Sequence, residues 1–398
     1  MQMPMFNKNC LSDLSYLMLN LDEVFKDASL YQEIQRTILK DSLLFHLSRN
    51  EAYNDYYHSF GLKDPRDDGF SVSTIPLLPS SLFKRPDLNL ATLSCEKIIK
   101  QCNSSGTRGS LSSVPRDEDT LTNFLGSITS TLSCLLELER CGNHKALILG
   151  PPPEEAGDLW FSYVLSTMAL SFNAEYFEHD GVFNVADAVA AVQAAVERKA
   201  AVLIIGPPFR ILEMCDYLSE LRRSICLEES SYVISAGGWK NKENRAVPRD
   251  TFSKVVELTF GLDGRFVRDS YNMVEFNTVL NECASHEKHV LPWVDVVVRD
   301  PKTNEALPDG QVGILSLYDG SALSYPCFIL SEDYGVAESG RCGCGRHGKR
   351  VRVIRRMEGM EARGCALKMA AITDETNSNV SNRFFKSFYR CPELYASR

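Results

Sequence analysis

Residues 200–206 read AAVLIIG, a short apolar run closed by a glycine. The same pattern occurs at residues 145–150 (KALILG), and a third apolar run at residues 232–235 (YVIS) precedes Gly237 and Gly238. Between the first two runs, one face of an alanine-rich helix is marked by Val185, Val189, Val192 and Val196. Buried strands that alternate with helices favour a mostly parallel sheet. This part of the chain therefore predicts an α/β fold.

The segments on either side of this core show other patterns. Apolar residues from Leu14 to Phe25 recur at helical spacing, and a second helical stretch runs from Tyr31 to His58. After Trp293, apolar residues alternate with polar ones around turns such as residues 308–310 (PDG), which is typical of antiparallel hairpins. We therefore predict four regions: a helical N-terminal region (1–74), a core (75–335), a basic segment (336–370) and a polar tail (371–398).

Composition limits the possible partners and the location of the protein. The 398-residue chain has a formal net charge of −9, which argues against nucleic acids and anionic membranes as main partners. No run approaches the roughly 18 apolar residues that a membrane helix needs. The 13 cysteines show no framework spacing and predict reduced thiols in a cytosolic protein. We expect a cytoplasmic protein with no membrane span and no nucleic-acid partner, and oligomerisation stays open.

Basic residues concentrate near the C-terminus. Residues 341–368 contain nine Lys and Arg against two Glu. Such a cluster is either a solvated face or a surface that meets a polyanion, and ATP is small enough to be that polyanion.

A loop rich in small residues is a candidate phosphate site. Residues 101–109 read QCNSSGTRG, so backbone amides and side-chain hydroxyls could converge on phosphate oxygens. A plain surface turn would have the same composition. Four further strings follow downstream in this order: GGWK (237–240), DSYNMVE (269–275), ILSED (329–333) and IRR (354–356). Together the five strings resemble the signature elements of the adenylate-forming superfamily.

A narrower resemblance covers roughly residues 30 to 370. It rests on the strings IPLLPSSLFK (75–84), GGWK (237–240), KHVLPW (288–293), SYP (324–326) and RGCAL (363–367). These strings are similar to the long-chain acyl-protein synthetases of bacterial luciferase operons. Such enzymes make acyl-AMP from a fatty acid and ATP, pass the acyl group to a cysteine near the C-terminus, and deliver it to a partner reductase. The resemblance implies an adenylate-forming large domain with a truncated C-terminal segment.

The resemblance also implies roles for particular residues. Phosphates would be held by Ser104, Ser105, Gly106, Thr107 and Gly109, and the rest of the nucleotide by Gly237, Gly238, Tyr271, Asp333 and Arg356. Glu275 would help to bind Mg²⁺, with an unremarkable surface acid as the alternative. Cys365 would accept the acyl group. Its neighbours Arg363 and Lys368 can lower a thiol pKa, and Gly364 permits close approach.

Two other functions stay open at this point. Since 42 residues follow Arg356 in this sequence, we expect the C-terminal lid domain of full-length acyl-CoA synthetases to be absent or vestigial. The string RCGCGRH (341–347) nevertheless resembles phenylacetate-CoA ligases. A CoA ligase or carrier-loading enzyme is therefore one alternative, and a non-catalytic acyl-adenylate-binding relative is the other. The sequence does not identify the acid.

Residues of metal-ligating type lie close together at two places in the sequence. Cys342, Cys344 and His347 lie close together, but a fourth ligand would have to come from elsewhere. His286 and His289 are one residue short of the zincin spacing. We expect both places to be free of metal.

Overall fold

The computed structural model describes residues 13–67, 69–106, 111–137, 144–169, 172–239 and 245–357. The helices in these ranges are α1 (Leu14–Leu19), α2 (Leu21–Lys26), α3 (Ala28–Arg49), α4 (Glu51–Ser59), α5 (Glu118–Cys134), α6 (Pro153–Ala156), α7 (Trp160–Met168), α8 (Val185–Glu197), α9 (Pro208–Glu220) and α10 (Arg249–Phe260). The strands are β1 (Leu78–Pro79), β2 (Ile98–Asn103), β3 (Ser113–Asp117), β4 (Lys145–Ile148), β5 (Asn173–Tyr176), β6 (Glu178–His179), β7 (Val182–Phe183), β8 (Val202–Gly206), β9 (Tyr232–Ala236), β10 (Val267–Tyr271), β11 (Leu280–Asn281), β12 (Lys288–His289), β13 (Val294–Arg299), β14 (Gly313–Asp319), β15 (Phe328–Glu338) and β16 (Arg350–Arg356).

Residues 14–59 are mostly helical, as their spacing predicts, but the two predicted stretches form four helices. Capping residues explain the divisions. The Asp27 side chain accepts hydrogen bonds from the backbone N–H groups of Ser29 and Leu30 and begins α3. Asn50 does the same for α4 by accepting from Tyr53.

The three apolar runs become neighbouring parallel strands. β8 lies between β4 and β9, and the sheet order is β11-β10-β9-β8-β4-β5. Alternate residues of β8 enter opposite cores: Leu203 and Ile205 pack with the side that includes α5 and α7, whereas Val202 and Ile204 pack against α8–α10. Burial on both faces accounts for the continuous apolar runs. The predicted parallel sheet is confirmed.

The second sheet is mostly antiparallel, as the turns after Trp293 predict. Its order is β12-β16-β15-β14-β13, and β1 adds in parallel beside β15. β15 spans the predicted boundary at residue 335, and β16 pairs along it with Asp333 opposite Arg356. The four-region division of the chain stays a prediction. Within the described ranges, no helix has the length and apolar character needed to cross a bilayer.

Candidate active site

A cavity of about 670 Å³ is lined by residues of both sheets. It lies beyond the carboxyl ends of β9 and β10, where open α/β sheets commonly bind ligands. Its lining includes all of the predicted binding residues that are described: Ser104, Ser105, Gly106, Gly237, Gly238, Tyr271, Glu275, Asp333 and Arg356. Thr107, Gly109 and Cys365 lie outside the described residues. The structure thus brings together strings that are up to 250 residues apart in the chain, while their individual roles stay predictions.

The candidate phosphate loop connects β2 to β3. Two hydrogen bonds tie the beginning of the loop to its end: Ser104 N–H donates to the Ser112 carbonyl at 2.9 Å, and Ser112 N–H donates to Ser104 Oγ at 2.9 Å. Gly106 has a φ of +58°, in the left-handed region that favours glycine. The loop therefore has a fixed base, and its described residues Ser104, Ser105, Gly106 and Ser112 line the cavity.

Gly237 marks the end of β9. Its φ is +76°, and a Cβ atom added there would lie 2.5 Å from Cε2 of Phe161. Both the backbone angle and the close ring therefore require glycine at this position. Gly238 has open space on its cavity side, since no heavy atom lies within 4 Å of a Cβ built there.

A tyrosine–aspartate pair joins the two sheets. The Tyr271 hydroxyl, at the end of β10, donates to Asp333 Oδ2 on β15 at 2.8 Å. Burial, reinforced by the Asp333 charge, raises the pKa of Tyr271 well above its usual value, so the phenol is a neutral donor. The pair holds the Asp333 carboxylate at the cavity, and a carboxylate can accept several hydrogen bonds at once.

Two further carboxylates lie near two cations. Glu332 accepts a hydrogen bond from Lys84 at 2.8 Å and another from Arg356 at 3.0 Å. Burial alone would favour the neutral acid, but these two cations lower the pKa of Glu332 below its usual value. Glu275 is only 4% exposed, and burial raises the pKa of its carboxyl despite a hydrogen bond with Ser112 and the charges of Arg356 and Lys84. Of the two acids, Glu275 is therefore the one whose charge is less well compensated.

A buried arginine supports the segment that carries Glu275. Arg116 is completely buried on β3, and its Nη2 donates to the Val274 carbonyl at 2.6 Å while its Nε donates to Asn277 at 3.1 Å. The guanidinium also lies 3.6 Å from the centre of the Trp160 ring, as in a cation–π contact. Arg116 thus holds residues 274–277 in place through these two hydrogen bonds.

One wall of the cavity is apolar. It is formed mainly by α7, with contributions from β9, α10 and the segment after β10: Trp160, Phe161, Val164, Met168, Ala236, Phe252 and Val274. An apolar wall beside a group of charged and hydroxyl side chains suits a ligand with a polar head and a hydrocarbon portion.

The contacts described above involve four residues to which the sequence assigned no role: Lys84, Ser112, Arg116 and Glu332. Lys84 and Glu332 stand within strings that carry the resemblance, but 248 residues separate them and neither string indicates a pairing. Ser112 could have been suspected, because it lies close to the phosphate loop in the chain.

Comparison with known proteins identifies the family. Residues 1–373 match the family described as "Acyl-protein synthetase, LuxE". The chain belongs to this family. It is 31% identical over 342 residues to the long-chain-fatty-acid–luciferin-component ligase of Aliivibrio fischeri, covering 86% of this chain and 89% of that protein. The corresponding ligase of Vibrio harveyi is 30% identical, with the same coverage. The predicted family and its enzyme class, ligase, are confirmed.

Solved structures confirm the fold. A 2-hydroxyisobutyryl-CoA ligase in complex with its acyl-AMP and CoA has a TM-score of 0.63 at 14% identity, over 84% of this chain and 69% of that one. An open conformation of the same ligase has a TM-score of 0.62 at 13% identity, over 83% of this chain and 70% of that one. The acyl-protein synthetase described here therefore has the predicted α/β adenylate-forming fold.

Proposed function

We propose that this acyl-protein synthetase converts a long-chain fatty acid and ATP to acyl-AMP and pyrophosphate, and then transfers the acyl group to Cys365. The observation that carries the proposal is the cavity, where a hydroxyl- and charge-rich end adjoins the apolar wall of α7. The names of the two relatives, which specify long-chain fatty acids, support the choice of acid. A partner reductase would then receive the acyl group.

The chemistry requires a better leaving group on the acid. A carboxylate oxygen attacks the α-phosphorus of ATP, pyrophosphate leaves, and the resulting mixed anhydride reacts readily with a thiol. Donors near the phosphates must stabilise the charge that develops during this attack. Ser104, Ser105 and Gly106 would supply these donors, and Asp333 would accept hydrogen bonds from the ribose hydroxyls.

Glu275 fits a role in binding Mg²⁺. A magnesium ion that accompanies a nucleotide commonly uses one or two protein carboxylates together with phosphate oxygens and water. The buried Glu275 carboxyl lines the cavity together with the described part of the candidate phosphate loop, and burial raises its pKa despite the charges of Arg356 and Lys84. When bound, Mg²⁺ would neutralise phosphate charge. Glu275 would hold the ion, and Ser112 would orient the Glu275 carboxylate through the hydrogen bond already described.

Cys365 would act as the nucleophile of the second step. Its thiolate would attack the acyl carbonyl, the carbon–oxygen bond to AMP would break, and a thioester would form. Cys365 lies nine positions after Arg356, which lines the cavity. Nine extended residues span at most about 30 Å, so this length of chain is compatible with access to the cavity.

Acid-dependent exchange of labelled pyrophosphate into ATP tests the first step. Since Glu275 and Asp333 are proposed to contact the metal and the ribose, Glu275→Gln and Asp333→Ala should each lower the exchange rate at least about tenfold. Titrations of Mg²⁺ should show a weaker apparent affinity for Glu275→Gln in particular.

Matched controls come from exposed acids on the N-terminal helices. Glu33→Gln on α3 and Asp55→Ala on α4 change the same residue types on the surface, and both should leave exchange unchanged. Wild-type rates in both cavity variants, with a panel of fatty acids, would refute the proposed adenylation site.

A further inference from the structure

Three cysteines and one histidine lie close together at the loop between β15 and β16. Cys283 follows β11 and His289 ends β12, while Cys342 and Cys344 lie in the loop between β15 and β16. One ligand atom from each of these residues lies within 4.8 Å of the other three. Cys283, His289 and Cys342 are buried, Cys344 is half-buried, and all three cysteines are free thiols.

Two of the distances within this cluster are close to the edges of a tetrahedral zinc site. The sulfurs of Cys283 and Cys342 are 3.7 Å apart, and the sulfur of Cys344 lies 3.3 Å from Nε2 of His289. Zinc bonds of about 2.3 Å to sulfur and about 2.0 Å to nitrogen, at tetrahedral angles, give edges of about 3.8 Å and about 3.5 Å. A disulfide would need sulfurs only about 2.05 Å apart.

We propose that Cys283, His289, Cys342 and Cys344 bind one Zn²⁺ ion. The three thiols would bind as thiolates and release their protons, and His289 would bind as neutral imidazole through Nε2. The resulting site has a net charge of −1. The guanidinium of Arg346, which hydrogen-bonds to Cys344, compensates this charge. The proposal replaces the expectation that these residues are free of metal.

The position of His347 differs from the one that the sequence suggests. Its backbone N–H donates to the Phe25 carbonyl at 2.7 Å, so this residue docks the loop onto α2. The metal ligands that pair with Cys342 and Cys344 are instead supplied by the β11–β12 turn. The Phe25 ring covers His289 from the side, with ring centres 5.4 Å apart.

The close approach of the two loops supports the same assignment. A Cβ atom on Gly343 would lie 2.9 Å from Ser285 Oγ, and Gly345 has a φ of +90°. Glycines at these positions let the two loops approach until their thiols are within reach of one ion. Because all four ligands come from protein, the site is structural and leaves no coordination position for a substrate. It would fasten the hairpin that carries Arg356 to the turn after β11.

Metal analysis of the full-length protein, purified without chelator, tests the proposal. We expect one zinc per chain in the wild type and, in Cys344→Ser, less than about a tenth of that amount. Cys226→Ser is the matched control, because Cys226 is an exposed free thiol outside the cluster and its loss should leave the zinc content unchanged.

A second measurement needs no variant. Wild-type protein stripped of metal should bind one equivalent of Co²⁺ with thiolate-to-metal charge-transfer absorption and the ligand-field bands of tetrahedral cobalt, and zinc should displace it. Protein that neither contains zinc nor gives this cobalt spectrum would overturn the proposal. A Cys283–Cys342 disulfide, found by mass spectrometry of the unreduced protein, would do so as well.

Discussion

At the scale of single residues, the two glutamates at the cavity have opposite electrostatic properties. Glu332 is paired with Lys84 and Arg356, whereas Glu275 is more deeply buried and less well compensated. Their pKa values accordingly shift in opposite directions, down for Glu332 and up for Glu275. A carboxylate kept ionised at a cost to folding is typical of groups that bind a cation or act in catalysis.

This contrast predicts opposite effects on stability. Glu275 destabilises the folded protein at neutral pH relative to acid, because burial makes its pKa higher in the folded protein than in the unfolded chain. Glu275→Gln should therefore leave Tm unchanged or raise it. Ionised Glu332 favours folding, so Glu332→Gln should lower the free energy of unfolding at neutral pH by about 1 kcal/mol.

The pH dependence supplies the control. The contribution of Glu332 is present above its usual pKa of 4.5 and is lost as the pH falls through its depressed value, so Glu332→Gln should approach the wild type in acid. The cost of Glu275 appears as the pH rises through its raised value. Thermal unfolding at about pH 7.5 and at a pH well below 4.5 measures both effects. A Glu275→Gln protein that is clearly destabilised at the higher pH would contradict the burial argument.

At the scale of elements, the turn after β9 depends on a single glycine. Gly237→Ala adds a Cβ atom 2.5 Å from the Phe161 ring and places alanine at a φ of +76°. Left-handed backbone costs alanine about 1–2 kcal/mol, and overpacking adds about 1–3 kcal/mol. We expect a correspondingly lower Tm and slower pyrophosphate exchange, since α7 must move away from the cavity.

Gly310→Ala separates the two contributions. Gly310 has a similar φ of +82°, but no heavy atom lies within 4 Å of a Cβ added there. The Gly310→Ala variant should lose only the stability that the left-handed backbone costs alanine. Its rate of pyrophosphate exchange should be normal. If Gly237→Ala were no more destabilising than Gly310→Ala, the contact with Phe161 would have no energetic weight.

Elements were predictable from the sequence where local patterns determine them. Parallel strands buried on both faces must be continuously apolar, so AAVLIIG identified β8 directly. Pairings between distant segments leave no such pattern. Nothing in the string around Lys84 indicates Glu332, and the approach of Cys283 and His289 to Cys342 depends on how two hairpins pack. The candidate cavity could be predicted because a resemblance supplied the five strings in order.

At the scale of the whole molecule, adenylation and acyl transfer use different parts of the chain. The proposed adenylation groups line the cavity, whereas the proposed acceptor Cys365 lies beyond β16 in sequence. The two steps should therefore be separable. Cys365→Ser should retain acid-dependent pyrophosphate exchange but lose protein labelling by radioactive fatty acid that neutral hydroxylamine releases, because hydroxylamine cleaves thioesters readily.

The same experiment distinguishes the alternative acceptor. The control is Cys226→Ser, which removes an exposed thiol elsewhere in the chain. This variant should be labelled like the wild type. A serine at position 365 could form an oxygen ester, which hydroxylamine releases far more slowly. If wild-type protein is never labelled, while added CoA drives formation of acyl-CoA, the acyl-protein assignment fails and a CoA ligase takes its place.

The packing of the first helices on late segments has a consequence for biosynthesis. The Tyr31 hydroxyl on α3 bonds to the Val290 carbonyl, 259 residues further along the chain. At about 5–20 residues per second, a ribosome needs about 13 to 50 s to supply that partner. During this interval α3 has emerged without its partners near β13, so we expect the nascent chain to expose apolar surface that chaperones bind. Translation that slows between these segments should lower the yield of folded enzyme.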